Sequence, residues 1–458
     1  MDISKNKSRS GFEVDFLNGP IIKSIIIFAI PLFISNIFQN MYNMVDTMIV
    51  GYYLGDNALA AIGSTAAIHE LLIGFGFGIG NGLAVVTARC FGSGDMQLLK
   101  KSVAGSIVVG AVSSVAITAI GSRMLYPLMT VLKTPAEIMT DAYNYILLIV
   151  LFTGVMFAYN LCAGLLRAIG NSFMPLVFLI ISSILNIILD IVFVAYLSMG
   201  VQGAAIATVI AQMVSVLLCI VYIAKKVKLL IPQKSDFKAG KELYGELVSQ
   251  GLSMGFMSSI VSAGSVILQF GINGLGTLII AGHTAARKVF FFIATPFGTS
   301  AVAVQTFVSQ NKGANRIDRI KKAMKSVYVF DIIATAIISL TMFIAADIMV
   351  QIVSGSKDLT VLECGAKYLR LSTPFYVFLG VLLQTRYALQ GIGEKVIPLI
   401  SSVIEFACKV LFVIFLIPKF QFTAIIFCEP IAWTAMALQL LWAFWRNPVI
   451  SHNYELEQ

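Results

Sequence analysis

The chain carries a second copy of itself. One constant shift lays Gly63-Ser64-Thr65-Ala66-Ala67 on Gly282-His283-Thr284-Ala285-Ala286, and Ala84-Val85 and Thr87 on Ala303-Val304 and Thr306. The same shift lays Gly94 on Gly313 and Ala104 on Ala323. A slightly longer shift then superposes Ile169-Gly170 and Pro175-Leu176 on Ile392-Gly393 and Pro398-Leu399. Two hydrophobic halves built on one template are the arrangement in which secondary transporters place a substrate site at the repeat interface.

The halves are too apolar for a soluble core. Apolar residues make up 58% of the chain, charged residues only 12%, and mean hydropathy is +0.89, whereas ordinary globular domains carry about 25% charged residues. A span needs about 20 apolar residues to cross a hydrocarbon core of about 30 Å. Twelve stretches qualify, at 22–53, 58–88, 103–128, 136–162, 174–197, 202–224, 247–275, 277–307, 324–349, 365–390, 394–417 and 421–445. They divide six and six. Runs apolar on all sides for two dozen residues exclude barrel strands, which alternate over about ten. The expected fold is therefore an all-α polytopic membrane protein, with twelve transmembrane helices in two six-helix lobes. An even number of spans per half makes both repeats enter from one side, related by a pseudo-two-fold axis along the membrane normal. The N-lobe is assigned to 1–225, a polar cytoplasmic linker to 226–243 and the C-lobe to 244–458.

Charge distribution orients this array. With the N-terminus inside, the cytoplasmic segments hold Lys5, Lys7, Arg9, Lys23, Arg89, Lys100, Lys101, Arg167, the six lysines from Lys225 to Lys241, the six basic residues from Lys312 to Lys325, and Arg386, Lys395 and Arg446, 23 basic residues against six outside (Arg123, Lys133, Lys357, Lys367, Arg370 and Lys419). That excess places both termini in the cytoplasm of a cell (plasma or inner) membrane. Topology explains the net charge of +9, so no nucleic-acid partner is inferred. The segment before Ile21 lacks an apolar h-region, and no cleavable signal peptide is read. Six singly placed cysteines (90, 162, 219, 364, 408, 428) and three histidines give no disulfide or metal framework. The glycine run at 74–82 lies inside a span and reads as close helix packing, not as a phosphate loop.

Chemistry in such a chain rests on rare polar groups at depth, because a charge at the bilayer centre costs at least about 2.5–3.5 kcal/mol. The first span presents Gln39, Asn43 and Asp46 on one face, four and three residues apart. Pro31, about four helical turns earlier, removes a backbone hydrogen bond and permits a bend. The fifth span carries Asn186 and Asp190, four apart, and the sixth carries Thr208 on a small apolar surface. Each has a blander reading: an interfacial carboxylate for Asp46 or Asp190, a back-bond to its own helix for Thr208.

At these residues the chain resembles the multidrug and toxic-compound extrusion (MATE) family, of bacterial and archaeal type. The resemblance rests on NMVDTMIVGYYLG after IPL, GSGD after span two, RAIGNSFMP opening span five and LNIILDIVF within it. The second half echoes it in GANRIDRIKKA, QGIGEKVIP and CEPIAWTA, so that nearly the whole chain is covered. The resemblance implies a cation-coupled antiporter that expels drug-like, often cationic, compounds, with H⁺ or Na⁺ as coupling ion and no other cofactor. It implies a polar coupling cluster at Gln39, Asp46, Asn186, Asp190 and Thr208, with a span-four tyrosine, Tyr145 or else Tyr143. Na⁺ would be held at Asp46, Asn186, Asp190 and Thr208. Small-molecule substrates and membrane lipids are the expected partners, and a monomer is the expected state.

The second half departs from some family members, which place carboxylates on spans seven and ten. Here those spans offer only Gln269 and Gln384 at depth, and the deepest ions are Glu405 and Lys409, at i and i+4. That pair reads either as a neutralising intrahelical ion pair or as a gating or substrate contact; Arg287 and Lys288 stay open. His69 and Glu70 read as structural, and Asp331 as interfacial. The alternative function is a flippase for lipid-linked saccharides, which needs a large basic cavity, whereas most basic residues here lie in loops. With no deep metal set, nucleophile elbow or phosphate loop, an enzyme is not expected.

Overall fold

The computed structural model of the chain describes residues 13–132 and 134–451. Lys5, Lys7, Arg9 and Lys133, used above to orient the chain, lie outside them. The described residues are almost entirely helical and contain no strand. The principal helices are α1 (Ile21–Leu54), α2 (Asp56–Gly92), α3 (Met96–Val131), α4 (Ala136–Leu151), α5 (Thr153–Ala168), α6 (Phe173–Asp190) and α7 (Gly200–Lys226). They are followed by α8 (Lys241–Asn273), α9 (Thr277–Gly313), α10 (Ile317–Ser354), α11 (Leu359–Ser372), α12 (Tyr376–Ile392), α13 (Val396–Leu411) and α14 (Ile417–Arg446).

Twelve spans follow from these helices once breaks are taken into account. Nine continuous runs among the described residues are long and apolar enough to cross a membrane, and α4–α5, bent by 46° at Phe152, makes a tenth. One of the nine, 396–446, is two spans: Gln421, at φ 47° and ψ −129°, interrupts the helix inside α14. The last is α11–α12, joined through a 3₁₀ turn at Thr373–Phe375, where Pro374 lacks an amide donor to continue the ladder. Spans four and ten are thus the broken ones in the two halves.

The repeat is visible in the packing itself. On α6 the buried face runs through Pro175, Phe178, Leu179, Ser182 and Asn186, and on α13 through Pro398, Ser401, Ser402, Glu405 and Lys409. The shift that superposes Pro175 on Pro398 brings every other member of the first face onto its counterpart. Both helices then loosen into a π-helical segment, Ile191–Tyr196 and Phe412–Leu416. On α7 and α14 a shift shorter by two pairs the buried Ala204, Ala205, Ala207 and Ala211 with Ile425, Ile426, Cys428 and Ala432.

The chain divides into two compact units, one of residues 30–258 with the N-terminal segment to Asn18, the other of 259–458 with Gly19–Ala29. The divisions fall inside α1, one residue before Pro31, and inside α8. In the first unit Leu83, Val86, Leu99, Phe157, Leu161 and Leu247 form one core cluster, and Val50, Ile68, Leu125, Ile146 and Ile149 another. The second unit is centred on Ile272, Ala286, Val350, Leu369 and Ile426. The glycine run of α2 does what its composition suggests. A Cβ on Gly78 would stand 2.5 Å from the Met254 carbonyl oxygen, and one on Gly82 2.7 Å from that of Gln250. Gly251 and Gly255 meet α2 in return, each facing Ile79. Two small-xxx-small faces therefore bring α2 and α8 into backbone contact.

The polar segment between α7 and α8 is folded. Short 3₁₀ turns at Lys228–Leu230 and Lys234–Phe237 bury Leu230 and Asp236. Asp236 accepts from the Gln233 amide at 2.7 Å, and the Tyr244 hydroxyl donates to the Phe237 carbonyl at 3.0 Å.

Asp331 corrects the reading from sequence. Read there as an interfacial group, it is 0% exposed, enclosed by neighbouring helices. α10 starts at Ile317, seven residues before the apolar run, and Gly380 and Gln384 of α12 close over Asp331 from the side.

Candidate functional site

The first unit gathers its rare polar groups where α1, α4, α6 and α7 converge. Asp190, the last residue of α6, is fully buried and Asn186, one turn earlier, is 2% exposed. Asp46 on α1 is half-buried, and its carboxyl interacts directly with that of Asp190. Asn186 donates from Nδ2 to Thr208 Oγ1 on α7 at 3.5 Å. Neither Asp190 oxygen, nor Asp46 Oδ1, nor Asn186 Oδ1 has a hydrogen-bond partner. A buried oxygen without a donor costs about 1–3 kcal/mol, and more when charged, unless something positive arrives.

Two tyrosines complete the cluster. Tyr145 on α4 lies in electrostatic contact with Asp46, Asp190 and Tyr42, whereas Tyr143 packs edge-on against Tyr126 at 6.0 Å. Tyr42 does not stand out in the sequence. Its phenol is held among Gln39, Gln212, Asp46 and Asp190. Gln212 escapes sequence reasoning too, although it follows Thr208 by one helical turn on the same face. Gln39 and Asn43 are exposed, so the cluster grades from solvent-accessible amides to a fully buried carboxyl. Glu70 is exposed. Pro31 lies in the interior of α1, and its carbonyl accepts the Ser35 hydroxyl at 2.8 Å.

The second unit holds a charged network at matching register. Lys409 Nζ donates to Glu405 Oε1 at 2.8 Å and lies 3.9 Å from Glu429 Oε1. Arg287 pairs with Glu429 through Nη1, and the Tyr368 hydroxyl donates to Glu429 Oε2 at 3.3 Å. Arg287 also caps the Phe290 ring at 4.6 Å, which stacks on Trp433. The two glutamates balance the lysine and the arginine. Under the shifts that align the two halves, Asn186, Thr208 and Tyr145 fall on Lys409, Glu429 and Tyr368. Sequence reasoning marks Glu405 and Lys409 and leaves Arg287 open, but it misses Glu429, whose partner Arg287 lies five helices away along the chain. Gln269 stands apart, exposed and donating to Asn273 Oδ1. Gln384 is buried and donates to Ser300 Oγ at 2.6 Å. Among the described residues no group of three His, Cys, Asp or Glu is placed to hold a metal ion.

The MatE family profile matches the chain twice, over residues 31–192 and 254–415. The chain belongs to the MatE family. Among relatives, the probable multidrug resistance protein YpnP of Bacillus subtilis is 23% identical over 86% of this chain and 87% of its own. The probable multidrug resistance protein YoeA of the same organism is 28% identical over 66% of this chain and 67% of its own. The multidrug export protein MepA of Staphylococcus aureus is 23% identical over 85% and 86%. Of solved structures, a MATE crystal structure in the bent conformation superposes with a TM-score of 0.87 at 21% identity, covering 96% of this chain and 98% of that one. The outward-facing conformation of a multidrug resistance MATE family transporter gives 0.86 at 21%, covering 97% and 99%. The two matched blocks, beginning at 31 and 254, are offset by the same shift that lays α6 on α13.

Proposed function

We propose that the chain is a multidrug efflux transporter, an H⁺- or Na⁺-coupled antiporter exporting cationic amphiphiles by alternating access. The observation that carries the reading is the Asp46–Asp190 pair: two carboxyls in contact, one fully buried, with oxygens lacking donors. Such a pair cannot keep both charges in a low-dielectric site without a cation. Asn186, Thr208, Tyr145, Gln39 and Asn43 supply neutral oxygens around it. The ion drives transport only if it binds one conformation better than the other; its arrival from outside lowers the site's negative charge, releases a cationic substrate and lets the ion-loaded, substrate-free transporter return.

The second unit gives no competing cation site at the same register, because the Lys409 ammonium already fills the place that corresponds to Asn186. Relatives named for multidrug resistance and export favour this function over a lipid-linked saccharide flippase. Residues 1–225 and 244–458 act as the moving lobes, the 226–243 segment and both termini face the cytoplasm of the cell membrane, and Pro31 serves as hinge. Purified transporter in proteoliposomes, loaded with cationic, neutral or anionic dyes and driven by imposed pH or Na⁺ jumps, tests the reading. Expulsion of cationic dye in response to one of the two jumps is expected. Transport that ignores both, or prefers anions, overturns it.

A further inference from the structure

A second buried carboxyl stands apart from the coupling pair, in the other unit. Asp331 is fully buried on α10, about 21 Å along the helix from its first residue. Neither of its oxygens has a hydrogen-bond partner. Gln384 on α12 is the polar side chain that approaches it. One turn before Gln384 on the same face is Gly380, which has no side chain: a Cβ there would stand 2.7 Å from the Asp331 Cγ and 2.9 Å from Oδ2. The carboxyl is therefore seated directly on the α12 backbone, in space that only glycine leaves open.

The groups around it carry no charge. Gln384 gives one Nε2–H to Ser300 Oγ at 2.6 Å, and its Oε1 is without a partner. Thr335, one turn beyond Asp331 on α10, is 5% exposed with Oγ1 unpartnered. Beside the carboxyl on α12 are Gly380 and Gln384, and Phe297 of α9 approaches Gly380; all are neutral. The titratable neighbour is Tyr328, one turn earlier on α10, whose hydroxyl lies 2.8 Å from Thr385 Oγ1. Among the described residues no cation pairs with Asp331. An ionised carboxylate here would add two acceptors and an unpaired charge among neutral groups, beside Gln384 Oε1, itself an unpartnered acceptor. A proton converts one of them into a donor. The close approach to the Gly380 backbone leaves no room on that side for a Na⁺ ion, which needs several oxygens around it.

We propose that Asp331 is a second proton-binding site, independent of Asp46 and Asp190, loaded in this conformation and stabilised by a hydrogen bond from the protonated carboxyl to Gln384 Oε1. Infrared difference spectroscopy of the full-length transporter in lipid nanodiscs tests it. In the Asp46→Asn/Asp190→Asn variant, a protonated-carboxyl C=O band should persist; adding Asp331→Asn should remove it. Gln384→Leu, which keeps Asp331 but deletes the acceptor, should shift the same band to higher frequency. Gly380→Ala, read alongside in case Asp331→Asn fails to fold, should also move the band. A carboxyl region unchanged by all three substitutions overturns the proposal. A band abolished by Na⁺ at fixed pH overturns the proton assignment. Because the coupling pair is absent from the background, failure here and failure of the antiport reading are separate results.

Discussion

Asn186 and Lys409 hold the same position in the two halves: each is the fifth member of a buried face that the repeat preserves, and each reaches toward α7 or its counterpart α14. In the first unit the contact is an amide to the Thr208 hydroxyl at 3.5 Å; in the second it is an ammonium 3.9 Å from the Glu429 carboxylate. One template has been used to build a site with unpartnered oxygens and a site closed by its own cation. The difference is written in a few residue types on an otherwise common frame.

Lys409 is the keystone of the closed site. Its side chain is 2% exposed and touches two carboxylates. Removing one partner of a buried ion pair leaves an uncompensated charge and typically costs about 3–5 kcal/mol. Lys409→Met should therefore lower the thermal unfolding midpoint of detergent-solubilised protein sharply, and Glu405→Gln in addition should restore much of it. A Lys409→Met protein as stable as wild type would show that the network is not a structural ion cluster.

The glycine crossing makes a second structural test. A Cβ on Gly82 meets backbone at 2.7 Å, and backbone cannot rotate out of the way as a side-chain tip can. Overpacking typically costs about 1–3 kcal/mol, and a backbone collision belongs at the upper end. Gly82→Val should reduce the yield of monodisperse protein, whereas Gly74→Val, where a Cβ meets nothing within 4 Å, should not. Equal behaviour of the two variants in size-exclusion profiles would remove the argument for close α2–α8 packing.

The frame was legible in the sequence because periodic burial leaves long apolar runs, and because a repeat preserves glycine and proline positions. Asp46, Asn186, Asp190 and Thr208 stood out as rare polar groups within such runs, Tyr145 entered only through the family resemblance, and the structure brings them together. Tyr42 did not, because a tyrosine in an apolar helix looks like any aromatic packing residue until its hydroxyl neighbours are known. Glu429 did not, because its partner Arg287 is distant along the chain. The burial of Asp331 was not legible either, because the residues that cover it, Gly380 and Gln384, are distant along the chain.

Orientation is open to direct labelling. Ser235, in the turn at Lys234–Phe237, and Asp358, before α11, are both exposed. Single-cysteine variants at these positions should differ in intact cells: Ser235→Cys protected from an impermeant maleimide and Asp358→Cys modified. Equal labelling of both would reverse the assignment made from basic residues.

Pro31 lies about 22 Å along α1 from Asp46, at a rise of about 1.5 Å per residue. The helix has no proline amide to bond back at that point, and the boundary between the compact units passes one residue before it. Pro31→Ala should restore the ladder, keep the protein folded and abundant, and slow efflux severalfold. Unchanged efflux at equal expression would make the proline a packing feature without a role in the cycle.

The coupling pair carries the functional argument and has the sharpest test. Asp190 has no exposed surface and no donor to either oxygen, and the group beside it is the Asp46 carboxyl. Replacing either aspartate by asparagine keeps the volume, supplies a donor to the other carboxyl and removes one of two charges that a cation would neutralise. Stability should therefore hold or rise in Asp46→Asn and Asp190→Asn, while concentrative efflux falls to background. Each variant should also lose the response to an imposed pH or Na⁺ jump, the property that separates loss of coupling from loss of substrate binding. If both variants still concentrate substrate and still respond to the jumps, the coupling ion binds elsewhere, and the exposed Glu70 or the closed Glu405 network becomes the place to look.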